Sequence, residues 1–118
     1  MESICEIKEV YKALYLFEKN FQDKNEITIN EALVLCCLKY GETKTANEIS
    51  GFIGLSNSRA SRIINTVEKK NFIIRSMGAK DKRQMLFSLT EEGKRKIEEM
   101  KANEVTYKAF LEMINLQD

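Results

Sequence analysis

The stretch Gly54-Leu55-Ser56-Asn57-Ser58-Arg59-Ala60-Ser61-Arg62-Ile63-Ile64 decides how the rest of this 118-residue chain is read. Continued as one helix from Ser56 to about Lys70, it sets Ala60, Ile63, Ile64 and Val67 at i, i+3, i+4 and i+7. That spacing makes a single apolar stripe. The other side carries Asn57, Ser58, Arg59, Ser61, Arg62, Asn65 and Lys69, with no acid before Glu68. An ordinary solvated helix face mixes signs, with Glu four residues from Lys, and this face does not until its end. A helix buried along one side and offering Ser, Asn and Arg along the other fits a DNA major groove. Its first turns reach base edges while Arg and Lys meet phosphates.

Upstream, Thr45 and Glu48 form a Thr-x-x-Glu capping box that opens a short helix, with Ala46, Ile49 and Ile53 inward and Gly51 near its end. Gly54-Leu55 turns the chain and Ser56 caps the next helix. A short helix, a turn containing Gly and a longer helix with an Arg and Ser face make a helix-turn-helix. After Asn71 the apolar period drops to two. Phe72-Ile73-Ile74-Arg75-Ser76 and Met85-Leu86-Phe87-Ser88-Leu89 read as strands, the second with Met85, Phe87 and Leu89 on one face. Residues 77–84 between them hold Gly78, Lys80, Asp81, Lys82 and Arg83, which predicts a hairpin with a basic tip.

Thr90 is expected to cap one last helix from Glu91 to about Leu116, its opening acids suiting the N-terminal dipole. Ile97, Met100, Tyr107, Leu111 and Ile114 form its stripe, interrupted by Glu104. Toward the other end, Thr28 and Glu31 make a second capping box, opening a helix through Tyr40 that Gly41 ends. Apolar almost all round from Ala32 to Leu38, that helix belongs at the centre of the core. Ile4 to about Phe21 reads as a first helix in which Ile7, Val10, Leu14, Phe17 and Phe21 recur by three and four. The stripe serves either packing within its own domain or a partner helix in a dimer. The expected architecture is mainly α with a small two-stranded β-wing, as one domain over residues 1–118. An N-terminal helix fills 1–27, the winged helix-turn-helix 28–90 and a C-terminal helix 91–118.

Net charge of +1 hides a strong division by position. Residues 56–83 hold eight Lys or Arg against two acids, a surplus of six positive charges. The remaining eleven bases and sixteen acids leave the rest of the chain at −5. A basic centre in an acidic frame concentrates positive field in one place. The acids Glu2, Glu6 and Glu9 and the short apolar runs argue against a leader or a membrane span, so a cytoplasmic protein is expected. Three Cys and no His fit neither a disulfide framework nor zinc spacings, and no metal or cofactor is expected. Adjacent Cys36 and Cys37 read as small core residues. Cys5 is the thiol most open to chemistry, though no base stands next to it in the sequence.

Enzymatic function finds no support. Without His, acid–base work falls to other groups, and neither paired carboxylates nor a phosphate-cradling glycine loop occurs at useful spacing. A winged helix that binds protein instead of DNA is the better rival. Such an adaptor should present an apolar or acidic recognition face, whereas this one is basic and polar.

Asp81-Lys82-Arg83, five residues, then Leu89-Thr90-Glu91-Glu92-Gly93 resembles the wing signature of the MarR family of bacterial transcription regulators, D-x-R followed by L-T-x-x-G. Ala46-Asn47-Glu48-Ile49, Leu55-Ser56 and the run from Ser61 to Ile73 resemble that family's helix-turn-helix, so the likeness covers roughly residues 28–98. The resemblance implies a winged helix-turn-helix flanked by N- and C-terminal dimerisation helices. It implies a homodimer on a pseudo-palindromic double-stranded operator, with recognition helices in major grooves and wings in minor grooves. Repression is the family's default. Ser56, Ser58, Ser61 and Arg62 fall at the family's recognition-helix contacts and Arg83 at its wing arginine, with Asp81 as the acid that orients it. Asn57, Arg59, Asn65, Lys80 and Lys82 complete the expected DNA-binding set. For Asp81 and Arg83 the plain alternative is a surface salt bridge of little worth. Dimer contacts are expected from Ile7, Leu14, Phe17, Tyr107, Leu111 and Ile114. The chain is shorter than most members and reads as having one C-terminal helix where they commonly have two, which leaves a monomeric DNA binder open. The family's small aromatic effectors bind beside the dimer helices, where Tyr11, Tyr15, Phe17, Tyr40 and Tyr107 are candidates; aromatics at helical spacing otherwise serve as core.

Overall fold

A computed structural model describes residues 2–114. Its elements run α1 (Glu2–Asn25), α2 (Ile29–Cys37), α3 (Ala46–Ile53), α4 (Asn57–Lys69), β1 (Ile73–Met77), β2 (Met85–Leu89), α5 (Glu91–Lys101) and α6 (Glu104–Ile114). The mainly helical architecture with a two-stranded wing is the expected one. Where the sequence reads as one domain, the residues group into two compact units. One holds the chain up to Ile29 and again from Met100, the other Asn30–Glu99.

In the Asn30–Glu99 unit, Val34, Leu35 and Leu38 bury with Ile49 of α3, with Ala60, Ile64 and Val67 of α4, and with Ile73 and Phe87 of the wing. The α4 stripe is therefore inward as its spacing requires, with Ile63 half-buried. α2 is shorter than expected. Leu38 N–H, Lys39 N–H and Gly41 N–H each donate to the carbonyl three residues back, so 38–40 form tight turns. Cys36 and Cys37, expected as core, are only half-buried. Burial still pushes both thiols up, against Lys39 beside Cys36 and Lys44 beside Cys37.

The helix-turn-helix corner is tied by one residue the sequence reading passed over. Ser50, buried in α3, accepts the Gly54 and Leu55 N–H groups at its carbonyl (2.9 and 3.2 Å) and donates its hydroxyl to the Leu55 carbonyl at 2.7 Å. Gly54 takes φ +82°, the left-handed conformation that closes α3 with little penalty only for glycine. Both halves of the Thr45–Glu48 capping box form, Glu48 N–H to Thr45 Oγ1 at 3.1 Å and Thr45 N–H to Glu48 Oε1 at 2.9 Å. The Thr45 N–H first, and the Thr45 hydroxyl second, hold the Glu48 carboxyl below its ordinary value.

The wing is antiparallel, pairing Ile73 with Leu89, Arg75 with Phe87 and Met77 with Met85, so β1 begins one residue later than expected. Lys44 adds a single bridge to Phe87, with N–H···O bonds of 3.0 and 2.8 Å in the two directions.

The helix expected over 91–116 is two helices, and the end of that expectation, residues 115–116, lies outside the described residues. Asn103 explains the break. Its N–H donates to the Met100 carbonyl in a tight turn, and its own carbonyl accepts the Tyr107 N–H to start α6. Asn followed by Glu104 is a helix-start pair, and here it outweighs the continuing stripe. In the other unit α1 runs longer than 4–21, to Asn25, because no breaker intervenes before Glu26 turns left-handed at φ 62°. α6 packs on α1 through rings. Phe17 stacks on Phe110 at 4.1 Å between centroids and meets Tyr107 edge-on at 6.2 Å, while Phe21 lies 6.0 Å from Tyr107.

Candidate nucleic-acid interface

α4 starts at Ser56, whose Oγ accepts the Arg59 N–H at 3.3 Å. That cap uses the hydroxyl as an acceptor and leaves its O–H able to donate. From there Asn57, Ser58, Arg59, Ser61, Arg62 and Asn65 are all exposed along one helix, opposite the buried Ala60, Ile64 and Val67. The first turn carries no acid. Arg59, Arg62 and Lys69 take part in none of the ion pairs found among the described residues, whereas Lys70 does, reaching buried Glu31 at 3.0 Å.

At the wing tip, Gly78 N–H donates to the Gln84 carbonyl at 2.7 Å and Gln84 N–H to the Asp81 carbonyl at 3.0 Å, closing the loop. Asp81 Oδ1 accepts both the backbone N–H of Arg83 at 3.0 Å and its Nε at 3.4 Å. Asp at the first position of a turn, bonding two residues on, is an Asx-turn. The Arg83 side chain is 93% exposed, so the pair with Asp81 does not cover it. Lys80 and Lys82 are exposed beside it.

Arg75, unlike Arg59 and Arg62, is held by an acid. Its Nε and Nη2 grip Glu68 at 2.8 and 2.7 Å, a forked charge-assisted pair. The fork holds the Glu68 carboxyl below its ordinary value and raises Arg75 further. Nη2 also reaches Asn65 Oδ1 at 3.5 Å, and the guanidinium lies 5.4 Å from the Phe87 ring centre. The only acid on α4 is thus neutralised from the wing. Composition could count Arg75 but could not pair it.

The base of the wing is stitched to both neighbouring helices. Thr90 Oγ1 donates to the Asn71 carbonyl at 2.6 Å and accepts the Gly93 N–H at 3.0 Å, while Thr90 N–H donates to the Phe72 carbonyl at 3.1 Å. A Cβ on Gly93 would run into that same Phe72 carbonyl oxygen. The L-T-x-x-G spacing therefore has a mechanical reading: Thr caps α5 and ties off α4, and Gly permits the close approach.

Among the expected dimer residues, Ile7, Leu14, Leu111 and Ile114 are exposed, with Phe17 and Tyr107 engaged with each other inside their own unit. Tyr11, Tyr15 and Tyr40 are exposed. Cys5 is exposed too. Among the described residues no helix is long and apolar enough to cross a membrane.

A family model described as the MarR family matches residues 27–85, half of the chain. The HTH-type transcriptional regulator YdcH of Bacillus subtilis (strain 168), itself uncharacterized, is 37% identical over 76 residues, 61% of this chain and 52% of YdcH. The chain spans about half the length, or less, of the curated relatives it matches. The crystal structure of the YusO protein from Bacillus subtilis is 27% identical, with a TM-score of 0.69 over 92% of this chain and 79% of that one. A mutant MarR from E. coli, complexed with operator DNA, shares the fold at a TM-score of 0.76 over 98% of this chain and 84% of that one, at 17% identity. Both curated relatives carry the name of HTH-type transcriptional regulators. The chain belongs to the MarR family of winged helix-turn-helix transcription regulators.

Proposed function

We propose that the chain is a sequence-specific DNA-binding repressor, acting as a homodimer on a pseudo-palindromic operator. Residues 56–70 enter the major groove and residues 77–84 the minor groove. The observation that carries this reading is the exposed face of α4, where Arg59 and Arg62 stand among Asn and Ser donors while Arg75 neutralises the one acid. Electrostatics of this kind attract phosphates, and the short polar groups suit base edges. An Arg aimed from a wing tip, as Arg83 is by Asp81, suits a narrow and electronegative minor groove. In support, the E. coli MarR of similar fold was complexed with operator DNA. The testing experiment measures binding at two salt concentrations to the promoter beside the protein's own gene, with a scrambled control. Tight, salt-sensitive preference for the promoter is expected. Absence of binding to either fragment would instead support a protein-binding adaptor.

Arg83→Ala is expected to weaken binding and flatten its salt dependence, since a phosphate that the protein no longer neutralises keeps its counterion. An unchanged salt slope would remove Arg83 from the interface.

Homodimerisation is supported by the apolar face left open on the unit of α1 and α6. Ile4, Ile7, Val10 and Leu16 are exposed with Leu111 and Met113, a cluster that a lone soluble chain rarely leaves uncovered. Leu14→Glu and Leu111→Glu are each expected to yield monomers in sedimentation. A dimer surviving both changes would place the interface elsewhere.

A small aromatic effector fits best in a cleft of about 260 Å³ in the same unit, lined by Phe17, Asn20, Phe21, Thr106 and Tyr107. The Tyr107 hydroxyl is buried and has no hydrogen-bond partner among the described residues. Phenolic acids are expected to release DNA from the protein, and less readily from Tyr107→Phe. Equal release from both would move the effector away from this cleft.

A further inference from the structure

Asn65 and Glu68 lie one turn apart on α4, and both are touched by the same guanidinium from β1. Arg75 carries only donors, so the atom of Asn65 that faces it must be the carbonyl oxygen. The Arg75 Nη2 to Asn65 Oδ1 distance of 3.5 Å is long, but its direction is enforced by the two shorter bonds that fix the guanidinium on Glu68. The oxygen and nitrogen of an amide diverge from one carbon. With Oδ1 turned to the wing strand, Nδ2 and its two hydrogens point away from it, on an exposed residue of the recognition face.

The geometry points to Arg75 as a positioning residue that sets Asn65 donor-outward, so that Asn65 reads guanine and not adenine. Adenine in the major groove offers one acceptor and one donor, and an Asn reads it bidentately only when both ends of the amide face the base. Guanine offers two acceptors, N7 and O6, which suit an amide presenting only its NH2. Arg75 itself makes no phosphate contact, because its charge is held by Glu68.

This inference rests on the DNA-binding reading proposed above, and its test separates the two. A pool of randomised DNA duplexes is selected with the wild-type chain and with Arg75→Met, Glu68→Gln, Asn65→Ala and the Asn65→Ala/Arg75→Met double variant. Wild type is expected to enrich guanine at one position by about tenfold over the other bases. Arg75→Met and Glu68→Gln should relax that position alone, with adenine gaining, and Arg75→Met should leave the salt slope of binding unchanged. Asn65→Ala should lose the preference, and adding Arg75→Met to it should change nothing further. That non-additivity is the readout a merely structural role does not produce, since lower stability would reduce affinity in either background. The inference is overturned if Arg75→Met leaves the preference intact, if it weakens every position alike, or if it lowers the salt slope as a phosphate ligand would. Enrichment of no sequence by wild type would overturn the DNA-binding reading itself, and this inference with it.

Discussion

Gly93→Ala is expected to destabilise the Asn30–Glu99 unit by about 1–3 kcal/mol, the cost of forcing an atom into packed surroundings. The added Cβ would collide with the Phe72 carbonyl oxygen and stand 3.1 Å from Leu89 Cδ2. Backbone, unlike the end of a long side chain, cannot swing aside. That carbonyl also accepts the Thr90 N–H at 3.1 Å, so displacing it weakens the bond that anchors the end of β2 at the start of α5. In urea the unfolding midpoint should fall by about 1 M, given slopes of about 1–3 kcal/mol/M for small proteins. Gly51→Ala is the control. A Cβ there meets nothing within 4 Å, and replacing glycine inside α3 should raise stability by about 0.5–1 kcal/mol. Equal midpoints for wild type and Gly93→Ala would show that the wing does not press on α5 as closely as described. Because Thr90 and Gly93 hold the hairpin to the helices on either side of it, the variant should also loosen the wing tip.

Arg62→Ala is expected to weaken operator binding by about 1–3 kcal/mol if the guanidinium bonds a base bidentately, a loss of affinity of roughly fivefold to 150-fold. Arg62 is exposed on the second turn of α4, without an ion pair among the described residues. Binding to a scrambled duplex should change far less, because base contacts discriminate while phosphate contacts act on all sequences alike. Equal weakening on both duplexes would make Arg62 a phosphate ligand, and unchanged operator affinity would remove it from the interface. Arg75 is the contrasting case. Both are arginines of the same basic segment, yet one is free to meet a ligand and the other is locked to Glu68 at 2.7 Å.

Much of this was legible from residues alone because it depends on neighbours in the chain. The Ala60–Ile63–Ile64–Val67 spacing predicted the inward side of α4, and the Thr45–Glu48 box formed as its spacing required. The period-two runs gave the wing to within a residue. Where the reading failed, two local signals competed. The apolar stripe favoured one long helix after Thr90, but the Asn103–Glu104 start divided it. On α1, one stripe holds residues with two fates. Phe17 is drawn into the ring cluster with Tyr107 and Phe110, while Ile7 and Leu14 stay exposed. Periodicity assigns a face, and cannot say what covers it.

The amino-acid sequence by itself determined the order of elements as far as β2, the inward stripe of α4, the basic tip of the wing and the family likeness. Each is a property of spacing over a few residues or of short motifs. Only the tertiary structure decided which charges remain available and why certain small residues are required. Arg75 and Glu68 are seven positions apart, Lys70 and Glu31 thirty-nine, and Phe72 meets Gly93 across the whole hairpin. Such pairings arise when packing of the core brings distant backbone together. The free energy of burial, summed over many side chains, fixes them, and no local pattern in the chain encodes it.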